Sequence, residues 1–279
     1  MNILRLTKYY KVIYFFSFIT LLCSCAHTAS IISINFNKKD RSEKEAIVIM
    51  PGFLSILYGN RDQEKYFIGK DTMYDVFIPK YIGRKSVDQS LDNFEKFISK
   101  NKLNEYKKIH VFGYIIGGWV LNQYIQSHPD NNIASIIYDR SPLQERAPYV
   151  VIHDKVLVTK IMAGKIIWDF NKIPYPAIEN SEKIKIGIII ESKATKLIRT
   201  HKERAMELGE LKWDVASLKQ PYDDYMYTWL NHDDMYSRFD VIGEDIFYFI
   251  HNGHFSSTVR RQPYDWDPFE IYQEQKIKQ

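Results

Sequence analysis

The segment from Lys108 to Ser127 constrains the fold more than any other part of the sequence. Lys108–Phe112 is a short, mostly apolar run that predicts a buried strand, and a helical pattern extends from Gly118 to Ser127. Between the two, Gly113–Gly117 forms a tight turn framed by glycines. A strand that turns directly into a helix is typical of a sheet covered by helices, so this segment favours an α/β fold.

Apolar runs and helical patterns alternate along the rest of the chain. Ser86 is the predicted cap of a helix that extends to Lys100, and a further helix is predicted over Lys193–Leu208. Residues 141–181 interrupt this alternation with four prolines, which predicts a small cap inserted over the sheet. We therefore expect a mostly parallel sheet flanked by helices. The predicted strands are Ala46–Met50, Met73–Ile78, Lys108–Phe112, Ile133–Tyr138, Ile184–Ile190 and Ile246–Ile250.

The N-terminus has the three parts of an export signal. Arg5, Lys8 and Lys11 precede the apolar run Val12–Cys23, which is shorter than the roughly 20 residues that span a bilayer. The run ends in Leu-Cys-Ser-Cys25, which resembles the lipobox of bacterial lipoproteins. The resemblance implies that residues 1–24 are removed and that Cys25 is lipidated. It also implies a membrane-anchored protein of the bacterial cell envelope, at the outer membrane or cell surface in a Gram-negative cell. The alternative is an ordinary secretory signal or an uncleaved anchor.

Charge and cysteine content exclude several classes of protein. Without residues 1–24 the chain has 35 basic and 34 acidic residues, which does not support a nucleic-acid-binding surface. The only cysteines are Cys23 and Cys25, so the remaining chain has no disulfide, cysteine nucleophile or cysteine-bound metal. We expect residues 25–45, which are polar and without clear periodicity, to form a tether to a domain that covers 46–279.

Several motifs resemble those of the α/β-hydrolases, in the order expected for that family. Gly113-Tyr-Ile115-Ile-Gly117 is similar to the G-x-S-x-G nucleophile elbow, but Ile115 takes the place of the serine. The loop after the first strand resembles an oxyanion loop, which implies that Phe53 or Leu54, together with Ile116, would supply the backbone donors. An isoleucine has no atom that can attack a carbonyl group.

The same resemblance implies a histidine and an acid. His254, in Gly-His-Phe after the predicted strand Ile246–Ile250, is the best match to the family's base. The acid is expected to be Asp139, at the end of a predicted strand, with Glu191 as the other candidate. Both His254 and Asp139 are also consistent with ordinary loop or turn residues.

Two functions remain compatible with the sequence. One is a lipid-anchored protein with a catalytically impaired hydrolase scaffold, which binds an apolar or acyl ligand or a protein partner of unknown kind. The alternative is an active ester or lipid hydrolase with a nucleophile outside the elbow, for which the serines at 55, 141, 256 and 257 are candidates. No cofactor motif is present, and no metal is expected, because His232-Asp-Asp234 and the pair His251/His254 lack a third ligand at recognisable spacing.

Overall fold

A computed structural model describes residues 32–34, 39–53, 60–68, 74–154, 161, 164–172, 174–179 and 183–271. The predicted signal peptide, Cys25, most of the predicted tether and Leu54 lie outside these residues. Among the helices in this part of the chain, none is long and apolar enough to cross a membrane.

The described residues form a seven-stranded sheet in the order β1-β3-β2-β4-β5-β6-β7. The edge strand β1 pairs antiparallel with β3, and all other neighbours pair in parallel. The central strands are buried almost throughout, as expected for parallel strands covered on both faces. The strands are β1 Ile32–Ile34, β2 Glu45–Met50, β3 Tyr74–Ile78, β4 Lys108–Gly113, β5 Ile133–Arg140, β6 Lys185–Lys193 and β7 Asp224–Asn231.

The helices alternate with the strands, so the predicted α/β class and the mostly parallel sheet are confirmed. Short 3-10 turns occur at Arg41–Glu43, Leu103–Glu105, Gln144–Arg146 and Val215–Leu218. The helices are α1 Asn60–Ile68, α2 Val87–Lys100, α3 Ile115–Ser127, α4 Ala147–His153, α5 Ile166–Lys172, α6 Lys196–Thr200, α7 Lys202–Met206, α8 Asp234–Ser237 and α9 Phe239–Asn252.

Helix α9 shows where the sequence-based expectation was wrong. Ile246–Ile250, predicted as the last strand, lies inside this helix and packs against one face of the sheet through Ile242, Ile246 and Phe249. A short apolar run is equally compatible with a buried strand and a buried helix, which is why periodicity alone misassigned it. The last strand is β7, in an aromatic and acidic segment that we had not predicted as a strand.

Two smaller differences and one confirmed prediction concern helix boundaries. Helix α3 begins at Ile115 rather than near Gly118. The predicted helix Lys193–Leu208 is two short helices, because β6 extends to Lys193 and the chain breaks from helical geometry at His201. The predicted start of α2 is confirmed, since the Ser86 hydroxyl accepts a hydrogen bond from the Gln89 N–H at 3.1 Å.

The chain order of the strands predicts a crevice at the carboxyl-terminal end of the sheet. From β2 the chain proceeds to β3 on one side and then to β4 on the other, so β2 and β4 flank a topological switch point. Ligands of such sheets bind outside the carboxyl ends of the strands at this position. The segment between β5 and β6 contributes α4 and α5 above the same edge.

Candidate functional site

Three polar side chains meet at the carboxyl ends of β5, β6 and β7. Asp139 is the penultimate residue of β5, Glu191 lies near the end of β6, and His232 directly follows β7. Because parallel strands align their carboxyl ends, residues almost a hundred positions apart become neighbours. The His232 Nδ1 lies 2.6 Å from Glu191 Oε1 and 3.2 Å from Asp139 Oδ2.

The two carboxylates of this cluster are fully buried, whereas 13% of the His232 side chain is exposed. Glu191 Oε1 holds the ring through Nδ1, so the other ring nitrogen, Nε2, is directed elsewhere. A Cβ placed on Gly52 would lie 3.5 Å from Nε2, which locates that nitrogen beside the loop after β2. Among the described residues Nε2 has no hydrogen-bond partner.

Burial and mutual repulsion perturb the ionisation of the cluster. Desolvation and the nearby charge of Asp139 raise the pKa of Glu191 well above its ordinary value. Burial alone would lower the pKa of His232, but the charges and hydrogen bonds of Glu191 and Asp139 together outweigh it and raise that pKa well above 6.5. Both shifts have one physical origin, two acidic side chains and one imidazole held together away from solvent.

A cavity of about 200 Å³ opens next to His232. Its walls are mainly apolar, and its lining includes Ile115 and Ile116 from α3, Val151 from α4, and Phe170 from α5. One polar atom in the wall, the Trp119 Nε1, is buried and has no hydrogen-bond partner among the described residues.

The glycine-framed turn lies at the floor of this cavity. Ile115 is the first residue of α3 and is not in the left-handed region, which among non-glycine described residues is occupied only by Lys102 and Lys219. Gly117 is required for packing, because a Cβ there would lie 2.5 Å from the Met50 carbonyl oxygen. The glycines thus bring α3 close to β2 whether or not the turn carries a nucleophile.

The loop after β2 has one of its backbone donors already engaged. The Gly52 N–H donates to the Tyr236 hydroxyl at 2.7 Å, and Tyr236 is buried and stacked on Tyr114 with ring centroids 4.0 Å apart. Phe53 and Ile116, two of the predicted oxyanion residues, line the cavity, whereas Leu54 lies outside the described residues.

His254 is not part of this site, contrary to the sequence-based expectation. It is exposed and follows α9, where its Nδ1 lies 2.9 Å from the Phe255 carbonyl oxygen. The Phe255 N–H donates to Asp224, the first residue of β7, and Gly253 packs beside Lys185, the first residue of β6. His254 therefore lies at the amino-terminal ends of the strands, whereas Asp139 lies at their carboxyl-terminal ends.

His232, the histidine that faces the cavity, was considered only as a metal ligand and not as the family's base, because β7 was not predicted. Had the segment Asp224–Asn231 been assigned as the last strand, His232 would have followed it directly. The available signal was the aromatic residue at every second position, Tyr225, Tyr227 and Trp229. Glu191, the second candidate for the acid, contacts His232 more closely than Asp139 does.

The candidate serines are placed in structural roles where the structure describes them. The Ser141 hydroxyl accepts a hydrogen bond from the Gln144 N–H at 3.0 Å, at the start of a 3-10 turn. Ser256 contacts Thr258, and Ser257 is exposed in the same loop, near the amino-terminal edge of the sheet. Ser55 lies outside the described residues.

Comparison with known proteins identifies the fold. No protein-family model matches the chain, and no curated protein matches it in sequence. A type II thioesterase from the yersiniabactin NRPS/PKS biosynthetic pathway is similar in structure, with a TM-score of 0.52 and 9% identity over 82% of this chain and all of that one. The juvenile hormone epoxide hydrolase of the silkworm Bombyx mori matches with a TM-score of 0.47 and 10% identity, over 80% of this chain and 73% of that one.

A third similar structure is an α/β hydrolase from the metagenome of lagoon sediments of Mar Chica, Morocco, with a TM-score of 0.45 and 18% identity over 80% of this chain and 96% of that one. At these identities the likeness concerns the fold alone. The sheet topology and the likeness to the type II thioesterase define an α/β-hydrolase-like fold, with helices on both faces of a mostly parallel sheet.

Proposed function

We propose that the chain is a lipid-anchored protein of the bacterial cell envelope that uses an α/β-hydrolase scaffold to bind an apolar or acyl ligand and does not perform acyl transfer. The observation that carries the proposal is the pairing of Ile115 with His232 in the wall of one cavity. In this fold the nucleophile, acid and histidine follow in that chain order. Ile115, Glu191 and His232 have the same order, and an aliphatic side chain occupies the first position.

The backbone around Ile115 supports the loss of catalysis. A nucleophile elbow holds its serine on a strained turn, whereas Ile115 begins α3 without a left-handed backbone. The Gly52 N–H, in the loop where the fold places oxyanion donors, already donates to Tyr236. Ile115 thus lacks the strained backbone of a nucleophile, and the Gly52 N–H is not free to stabilise a tetrahedral intermediate. Both features favour a binding pocket over a catalytic site.

The cavity itself supports ligand binding. Its volume of about 200 Å³ exceeds the roughly 150 Å³ of an engineered apolar cavity that binds benzene, so an acyl segment of medium length fits better than a full membrane lipid. Its apolar walls would bury the chain of the ligand. The Trp119 Nε1 and the His232 Nε2 would donate to its oxygen atoms.

Ligand binding is tested by calorimetry with the full chain in nanodiscs, using octanoate and ethyl octanoate as probes. We expect saturable binding that is lost in Ile116→Trp, because the larger ring fills the cavity, and retained in Leu208→Trp, which changes an exposed and distant leucine. Equal binding by the two variants would contradict a ligand site in this cavity.

Catalysis is tested with p-nitrophenyl octanoate on the same preparation. We expect no turnover above a protein-free blank. Robust turnover that His232→Ala abolishes and His254→Ala leaves intact would instead support the alternative, an active hydrolase with another nucleophile.

The anchor is tested by metabolic labelling with a fatty acid, which should disappear in Cys25→Ala and persist in Cys23→Ala. Labelling that survives in Cys25→Ala would contradict lipidation at this cysteine.

A further inference from the structure

We propose that Asp139, Glu191 and His232 bind one divalent transition-metal ion, such as zinc, at the carboxyl ends of β5, β6 and β7. Each residue offers one ligand atom, and these atoms all lie within 4.8 Å of one another. The described residues contain no other such group of three. The proposal does not depend on the ligand or the lipid anchor proposed above.

Unpartnered oxygen atoms provide the second, independent observation. Asp139 is fully buried, and its only described ion-pair partner is His232. The His232 Nδ1 lies 3.2 Å from Oδ2 but is hydrogen-bonded to Glu191, so neither Asp139 oxygen accepts a hydrogen bond from a described residue. The Glu191 Oε2 is in the same condition. Buried carboxylate oxygens without partners are costly, and buried charges are normally paired or coordinate a metal. Three such oxygens are more than the single Nδ1–H of one imidazole can satisfy, which indicates a site for a cation.

The charge of the cluster fits a divalent cation. When metal binding displaces the protons of the cluster, two carboxylates and a neutral imidazole carry two negative charges, which an ion of charge +2 neutralises. The nearest buried cation along the chain, Arg140, is already paired with Glu145 at 2.5 Å, so it does not compensate the cluster. A nitrogen ligand together with two carboxylates suits zinc and similar transition metals better than magnesium or calcium, which prefer oxygen ligands alone.

The distances require only a small adjustment. For ligands at about 2.0–2.1 Å from zinc in tetrahedral geometry, ligand atoms lie about 3.3–3.4 Å apart. The separation between His232 Nδ1 and Asp139 Oδ2 is already 3.2 Å, and that to Glu191 Oε1, at 2.6 Å, would lengthen as the metal replaces the proton between them. With Nδ1 on the metal, Nε2 carries the hydrogen and donates towards the cavity.

Metal uptake by the full chain tests the proposal after treatment with a chelator and its removal. Titration with Zn²⁺ alone should show one bound equivalent and a rise in Tm. Asp139→Asn, Glu191→Gln and His232→Gln should each weaken binding by more than about 100-fold, the upper end of the effect of an outer-shell partner. Asp233→Asn is the matched control, because it removes a neighbouring carboxylate that lies outside the cluster.

A spectroscopic measurement on the unmodified chain keeps the test decisive even if a variant fails to fold. Co²⁺ bound by nitrogen and oxygen ligands in tetrahedral geometry should produce a visible absorption band that saturates at one equivalent and disappears when Zn²⁺ is added. The proposal is overturned if the chain takes up neither ion. It is equally overturned if folded variants at all three positions bind as tightly as the unmodified chain.

Discussion

Replacing Tyr236 by phenylalanine tests the hydrogen bond between the Tyr236 hydroxyl and the Gly52 N–H in the loop after β2. The change removes one hydroxyl group and retains the ring, so the stack on Tyr114 is preserved. What is lost is the acceptor of the Gly52 N–H, a 2.7 Å hydrogen bond between two buried groups. An unsatisfied buried donor costs about 1–3 kcal/mol, and we expect the lower half of this range because the cavity lies alongside.

Thermal unfolding followed by circular dichroism measures this loss. At roughly 2–4 °C per kcal/mol for a domain of this size, Tyr236→Phe should lower Tm by about 2–8 °C. Tyr248→Phe, which removes a hydroxyl from an exposed tyrosine, should leave Tm unchanged. A Tm for Tyr236→Phe equal to that of the unmodified chain would show that the Gly52 N–H does not depend on this hydroxyl.

The same variant also tests the position of the ligand. The Gly52 N–H, once released, is next to the His232 Nε2 and is free to donate to a carbonyl oxygen in the cavity. Ethyl octanoate should therefore raise the Tm of Tyr236→Phe by more than it raises that of the unmodified chain. An equal increase in both proteins would place the ligand oxygen elsewhere in the cavity.

Three further predictions concern the stability of the scaffold. Lys44→Met should destabilise the fold by about 3–5 kcal/mol in denaturant unfolding, because it leaves the buried Asp75 carboxylate, 2.7 Å from the lysine, without its cation; adding Asp75→Leu should recover most of the loss, and no recovery would refute the ion-pair argument. Ser86→Ala should cost about 1 kcal/mol by removing the cap of α2, and an unchanged midpoint would refute that role. Burial lowers the pKa of His110 below 6.5 despite the nearby Glu45, so the unfolded chain binds more protons and stability should fall as pH decreases below about 6.5. The decrease should be smaller in His110→Gln, and identical pH profiles would contradict this assignment.

Local sequence patterns were sufficient to predict the buried central strands and the start of α2. The central strands are continuous apolar runs because both of their faces are covered, and β2, β4, β5 and β6 were predicted close to their observed bounds. The start of α2 was predictable because its capping serine acts within one turn. Such signals depend only on residues that are neighbours in the chain.

The same reasoning failed where two environments produce the same pattern. Ile246–Ile250 is apolar because α9 is buried against the sheet, and nothing within five residues distinguishes this from a buried strand. The misplaced strand then drew attention to His254 and away from His232. One wrong element thus moved the predicted histidine from one edge of the sheet to the other.

The sequence by itself determined that an aliphatic residue, Ile115, occupies the turn between β4 and α3, and that the chain alternates strands with helices. Only the tertiary structure decided which acids and which histidine face that residue. Strand order brings Asp139, Glu191 and His232 to one edge, although 52 and 41 positions separate them along the chain. Sequence periodicity indicates whether a side chain is buried. Which side chains it contacts depends on how distant strands pair.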